Sequence, residues 1–186
     1  SNYLLDISGK KVVFNGPVSL SLFPSPYFTA DDVLVFSAVN KDLEKPLMRI
    51  ESVVANLSFS SLLGGNFDVR MMSLVNPNIL VQKNDKGINW LDNAQTKSDT
   101  EINNVNISLD SVFLDNAKMT IIDETRDVNI ELDNLKAEIV ADSINGPYRI
   151  DGSYIKDNNP EGFAISIGSI SESFATVSGN IFSPVL

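Results

Sequence analysis

The side chains able to do chemistry here carry oxygen, because the chain contains neither histidine nor cysteine. Losing histidine removes the commonest general base and zinc ligand. Losing cysteine removes disulfides, thiolate metal sites and thiol nucleophiles. A serine–histidine pair is therefore excluded, and no Gly-x-Ser-x-Gly elbow occurs. What remains are adjacent carboxylates, Asp31-Asp32 and Asp123-Glu124, which could in principle serve as acid and base. Neighbours on a strand point to opposite faces, so both pairs read as solvated turn residues. The run Asp157-Asn158-Asn159-Pro160-Glu161-Gly162 is oxygen-rich but lacks the alternating ligand spacing of a calcium loop. No glycine-rich phosphate cradle is present. Asn56-Leu57-Ser58 and Asn106-Ile107-Ser108 have glycosylation-acceptor spacing, both inside expected strands. The expectation is a non-enzymatic protein without metal or cofactor.

The elements holding these residues are strands. Ten glycines and eight prolines punctuate 186 residues that are 43% hydrophobic, which suits many short strands around a sizeable core. In Val18-Ser19-Leu20-Ser21-Leu22 the alternation puts three apolar residues on one face and both serines on the other. The next extended stretch, from Phe28 to Phe36, carries a bulge or turn at Ala30-Asp31-Asp32. From Met48 and Ile50 to Val53, Ala55, Leu57 and Phe59 the period-two phase slips, predicting a bulge near Ser52. A second slip falls at Asp133-Asn134. Val105, Ile107, Leu109 and Phe113 share the alternation of the cleanest two-faced strand, after which Asp115-Asn116-Ala117 is expected to turn the chain back. The polar segment 94–101 separates an N-terminal β segment, 1–93, from its continuation, 102–186, most simply within one contiguous domain. The fold class is all-β: an antiparallel meander forming a strongly twisted, curved sheet or open groove, with at most short helical turns.

The net charge of −10 argues against nucleic acid, whose phosphates call for clustered Lys and Arg. No apolar run approaches the roughly 20 residues of a membrane-spanning helix. Ser1-Asn2 reads as a cloning remnant, and the abrupt Pro184-Val185-Leu186 reads as the cut edge of a longer protein.

An ordered set of residues then resembles the N-terminal region of the AsmA family: Gly9 with Lys10-Lys11, Gly16, Pro24, Pro26, Pro46, the Leu62-Leu63-Gly64 turn, Pro77, and Gly87-x-Asn89-Trp90. The resemblance extends loosely to about Ile167. It departs from the family at Lys10-Lys11, where arginine is common. It implies an envelope protein in the periplasm, held to the inner membrane by an anchor upstream of this segment. It also implies the class of bridge-like lipid-transfer proteins, with phospholipid or another acyl-chain ligand as partner, moving between inner and outer membranes along a hydrophobic β groove. Trp90 reads as a core or hinge anchor. The expected lipid-contacting wall, chosen by alternation, is Leu20, Leu22, Leu57, Phe59, Val105, Ile107, Leu109 and Phe113. The alternative is an interaction module assisting outer-membrane protein assembly, its apolar face closed on itself as a β-sandwich.

Overall fold

In the computed structural model the structure describes residues 3–7, 10–37, 45–60, 67–85, 87–90, 107–141, 147–168 and 176–182, without the side chains at 3–7, 67 and 107–109. Every described element is a strand, and thirteen of them share one sheet. The first are β1 (Tyr3–Ile7), β2 (Lys10–Phe14), β3 (Val18–Ser21) and β4 (Tyr27–Ser37). Next come β5 (Met48–Leu57), β6 (Phe67–Val75), β7 (Asn78–Asn84) and the short β8 (Gly87–Ile88). The rest are β9 (Ile107–Asp123), β10 (Val128–Ala141), β11 (Tyr148–Lys156), β12 (Asn159–Ile167) and β13 (Val177–Phe182). Laterally the order is β1-β2-β4-β5-β6-β9-β10-β11-β12-β13. Strand β3 continues the line of β2 along β4, and β7 continues that of β6 along β5 and β9. Strands β1 and β13 do not pair, so the sheet is not a closed barrel.

The all-β reading holds, and Phe59-Ser60 are the described residues with helical geometry. Two details differ from a simple meander. Strand β9 runs parallel to both β6 and β7, from Phe67↔Ile107 to Lys83↔Asp123. Parallel neighbours cannot be joined by a tight hairpin, so the chain passes through β8 and residues 89–106 before β9 begins. The expected reversal at Asp115-Asn116-Ala117 is also absent: β9 runs straight through it as one 17-residue strand. The polar segment 94–101 lies outside the described residues.

The phase slips share one cause, a crease crossing the strands. Asp32, Asn76, Asn116 and Asn134 all have left-handed backbones, with φ of 47°, 49°, 54° and 52°. Asp and Asn tolerate this conformation better than other residues with a side chain. The register places the first three side by side through Glu51: Asp31↔Ser52 and Val33↔Ile50 bracket Asp32 against Glu51. Ser52↔Val75 and Arg49↔Asn78 bracket Glu51 against Asn76-Pro77. Val75↔Asp115 and Asn78↔Lys118 bracket Asn76 against Asn116. Asn134 sits where β10 shifts register between Leu132 and Leu135. Polar side chains stitch the line together. Arg49 Nη2 donates to Asp32 Oδ1 at 2.9 Å, Asn76 Nδ2 to Glu51 Oε2 at 2.7 Å, and Asn116 Nδ2 to Asn76 Oδ1 at 2.7 Å.

The expected irregularity at Asp133-Asn134 is a true register shift. The one expected near Ser52 is not, because β4, β5 and β6/β7 change phase together and keep their register across the crease. The shift on β5 falls instead between Asn56 and Leu57. At the edge, the break between β2 and β3 continues the crease: Asn15 N–H donates to Asp32 O at 3.0 Å and Gly16 N–H to Asp31 O at 3.1 Å. A Cβ on Gly16 would lie 2.5 Å from Asp31 O, so only glycine fits this approach.

Candidate functional site

Following one face of the sheet from strand to strand gives rows of apolar residues. One row starts at Leu20 on β3 and passes to Phe28, Ala55, Met72 and Val112. It continues through Ile139, Ile150 and Ile165 to Gly179 on β13. The adjacent row runs Val18, Ala30, Val53, Leu74 and Leu114. It ends with Ala137, Gly152, Phe163 and Ile181. Neither row contains a polar side chain over nine strands. Beyond the crease, Val12, Val35, Met48, Ile79, Met119 and Leu132 make a third.

The other face is mixed along the equivalent line, with Val54 and Phe113 among Thr29, Ser73, Glu138 and Asp151. This two-sidedness follows from period-two alternation, read separately on each side of the crease.

Burial varies along the wall. At its centre Ala30, Val33, Ile50, Leu74, Leu114 and Ala117 are buried. At its rims the same rows open to solvent, with Leu20 54% and Ile181 71% exposed. Strand β13 has exposed residues throughout. Where the wall needs small residues, an aromatic ring from the next strand fills the gap: a Cβ on Gly152 would come within 2.5 Å of Phe163 Cζ. The Phe163 ring also packs on Tyr154, with centroids 6.2 Å apart.

Of the residues singled out by alternation, Leu20 stands in the wall, and the same β3–β4 ladder puts Val18 beside it. Leu22 follows in the β3–β4 connection and is exposed. Leu57, half-buried, ends β5 on the phase of Val53 and Ala55. Phe59 is exposed just beyond it. Ile107 and Leu109 have backbones in β9 opposite Phe67 and Val69, while their side chains, like all of Val105, lie outside the described residues. Phe113 is on the opposite face, between Ser73 and Glu138, where it lines a shallow depression with Met71, Lys136 and Asp151. Val112 and Leu114 face the wall instead. A run with apolar residues at consecutive positions does not reveal which of them faces inward. Met72, Ile139 and Ile150 were missed for want of strand order, although each sits in an alternating stretch.

The residues of the ordered motif are structural. Gly16 lies at the crease, and Pro77, also on the crease line, is fully buried. Pro24 follows a cis peptide bond in the β3–β4 connection, where Ser21 Oγ donates to Phe23 O at 3.3 Å. Pro46 precedes Leu47, whose N–H donates to Val35 O at 2.7 Å. Gly87 has φ 127° in the β7–β8 turn, a conformation that favours glycine. Asn89 mimics a strand residue: its Oδ1 accepts from Gln82 N–H and its Nδ2 donates to Leu80 O, each at 2.9 Å. Trp90 Nε1–H donates to the same Leu80 O at 2.8 Å while the ring packs on the core. Gly9 and Leu63 lie outside the described residues.

Three of the four paired carboxylates are committed to local structure, and Asp31 is exposed. Asp32 pairs with Arg49. Asp123, mostly buried, accepts from the Thr125 hydroxyl and backbone and sits 3.3 Å from Lys83 Nζ. These donors, Thr125 first, hold the Asp123 carboxyl below its ordinary value of 3.8 against the opposing effect of burial. Glu124 accepts from Gln82 Nε2 at 2.6 Å. In Asp157-Asn158 both residues take left-handed backbones, φ 49° and 65°, as a β11–β12 hairpin turn requires. Among the described residues no cluster of three or more metal-ligating side chains occurs, and no helix is long and apolar enough to cross a membrane.

Comparison with known proteins agrees with the ordered motif. No curated protein and no solved structure gives a match. A sequence model of the AsmA family matches residues 6–180, from β1 into β13, well past the Ile167 limit of the motif resemblance. With nearly the whole sheet inside that match, the chain belongs to the AsmA family of envelope-associated proteins.

Proposed function

We propose that the apolar wall holds the acyl chains of phospholipids and serves their movement between the inner and outer membranes, with the protein in the periplasm and tied to the inner membrane. The observation that carries this reading is the pair of rows from Leu20 to Gly179 and from Val18 to Ile181, apolar at every position and solvent-open at both rims. An acyl chain laid along such a row meets no polar group, while its headgroup stays in water. Each buried methylene contributes about 0.8 kcal/mol, and successive positions offer similar contacts, so a chain is retained without being trapped at one place. No catalytic residue takes part in this mechanism.

Mass spectrometry of organic extracts tests the reading on protein purified without detergent from phospholipid-containing cells. Stoichiometric phospholipid is expected, reduced severalfold in Leu20→Asp/Ile181→Asp. Both positions are exposed, so the substitutions leave the core intact. Extracts empty of lipid, or unchanged in the variant, would overturn it.

A second reading, an interaction module assisting outer-membrane protein assembly, is favoured by the near-complete burial of Ala30 and Val33 at 0% and 2% exposure. In that reading the apolar face is closed on itself. A hydrophobic dye separates the two, binding an open wall and not a closed one.

A further inference from the structure

One end of the sheet carries a cluster of exposed apolar side chains that belongs neither to the core nor to the cross-strand rows. Strand β3 leads into the connection holding Leu22 and Phe23, exposed by 54% and 87%, and the chain returns at Tyr27, also exposed. The end of β5 lies beside this connection, since Leu57 N–H donates to Pro26 O at 2.9 Å. Two residues later comes Phe59, exposed by 54%.

The two segments carry no charge of their own, although β6 brings Asp68 and Arg70 beside the end of β5, where Ser58 N–H donates to Asp68 O at 2.9 Å. From Val18 to Phe28 and from Ser52 to Ser60 there is no Asp, Glu, Lys or Arg, in a chain holding 38 such residues with a net charge of −10. Hydroxyl side chains flank the apolar ones in sequence: Ser19, Ser21, Ser25, Thr29 and Ser60. The exposed side chains sit on a hairpin end, which suits insertion better than a flat interface.

We propose that this hairpin end inserts shallowly into the surface of a lipid bilayer, with Phe23 and Leu22 deepest, Phe59 beside them and Tyr27 at the headgroup level. A bilayer interface accepts protruding aromatic and aliphatic side chains with hydroxyls around them. The inserting segments themselves hold no acidic residue for an anionic leaflet to repel. Docking in this way sets the Leu20 end of the apolar row against the membrane. The inference goes beyond lipid binding by the wall and stands on different side chains, so either can fail without the other.

Co-sedimentation with phosphatidylcholine vesicles tests it. The protein is expected to partition onto these neutral vesicles to the same extent in low and high salt. Leu22→Ser/Phe23→Ser should lower the partition coefficient roughly tenfold or more, as expected for two large apolar side chains. Ile155→Ser/Phe182→Ser, which removes two exposed apolar residues from the face opposite the wall, should change it less than twofold. Thermal melts of both variants confirm folding. No sedimentation of the parent protein would overturn the proposal, as would equal loss in both variants, which signifies unspecific adsorption. It would equally be overturned if the hairpin variant kept vesicle binding and instead lost self-association on size exclusion, marking the hairpin end as a contact between copies.

Discussion

The rings of Phe14 and Phe28 meet edge to face, with centroids 6.2 Å apart and planes at 81°. By register, Phe14 lies opposite Val33, five residues along β4 from Phe28. In a straight strand those five residues span about 17 Å. The crease at Asp31-Asp32 brings the two rings together across its apolar side, in the cluster that also holds the buried Ala30 and Val33. Phe28→Ala should therefore cost about 3 kcal/mol in urea unfolding, through lost burial and the cavity left behind. A double-mutant cycle with Phe14→Leu should show coupling of about 1 kcal/mol. Zero coupling would mean that the rings do not hold the crease closed.

The crease depends on residues that tolerate left-handed backbones. Replacing Asn116 by Ala removes that tolerance and the bond to Asn76, and should cost about 2 kcal/mol. Asn116→Gly restores the backbone freedom alone and should recover part of the loss. Gly16→Ala places a methyl against Asp31 O, where the β2–β3 backbone and not a side chain would have to move. Its unfolding midpoint should fall well below that of the parent. Equal midpoints would show that this edge can open freely.

Leu80 O accepts from both Asn89 and Trp90. Trp90→Phe keeps most of the packing and loses one of these bonds, an expected cost of about 1 kcal/mol. Asn89→Ala also leaves the half-buried Gln82 N–H without its side-chain partner and should cost more. Hydrogen exchange at Gln82 distinguishes the variants, rising in Asn89→Ala and unchanged in Trp90→Phe.

Asp123 gives the stability a pH dependence of definite sign. Its folded value is depressed, so its contribution is present above the ordinary value of 3.8 and is lost as pH falls through the folded value. The urea midpoints of the parent and of Asp123→Asn should differ most near about pH 6 and converge only at pH values below the folded one. A gap that persists in acid would assign the effect to shape and not to charge.

Much of this was readable in the residues, and the rest failed for identifiable reasons. The alternation of Val18 and Leu20 matches their place in the two apolar rows, and the phase slip at Asp133-Asn134 marks a real register shift. The slip near Ser52 was visible as well, but a single strand cannot show that its neighbours slip with it. Only the paired left-handed residues Asp32 and Asn76 turn that local anomaly into a crease. Phe113 was put on the wall because the alternation ending at it was extended unbroken from Val105, whereas Val112 and Leu114 carry the apolar rows. The parallel pairing of β9 could not be read at all, since it is a choice of partner made over 40 residues of separation with no local signal. The wall was thus legible as a property of individual strands and hidden as a set of rows.

The parallel ladder has a further consequence. Among the described residues, the strand ladders that join β1–β8 to β9–β13 are those of β6 and β7 with β9, a zipper from Phe67↔Ile107 to Lys83↔Asp123. The covalent link between these halves runs through residues 91–106, yet the hydrogen bonds joining them do not depend on it. The molecule is in this respect two pieces held by recognition as well as by a peptide bond. Cutting within that link leaves the paired strands on both sides uncut, so separately made halves are expected to co-elute as one species on size exclusion, and halves that stay apart would show that the ladder alone does not join them.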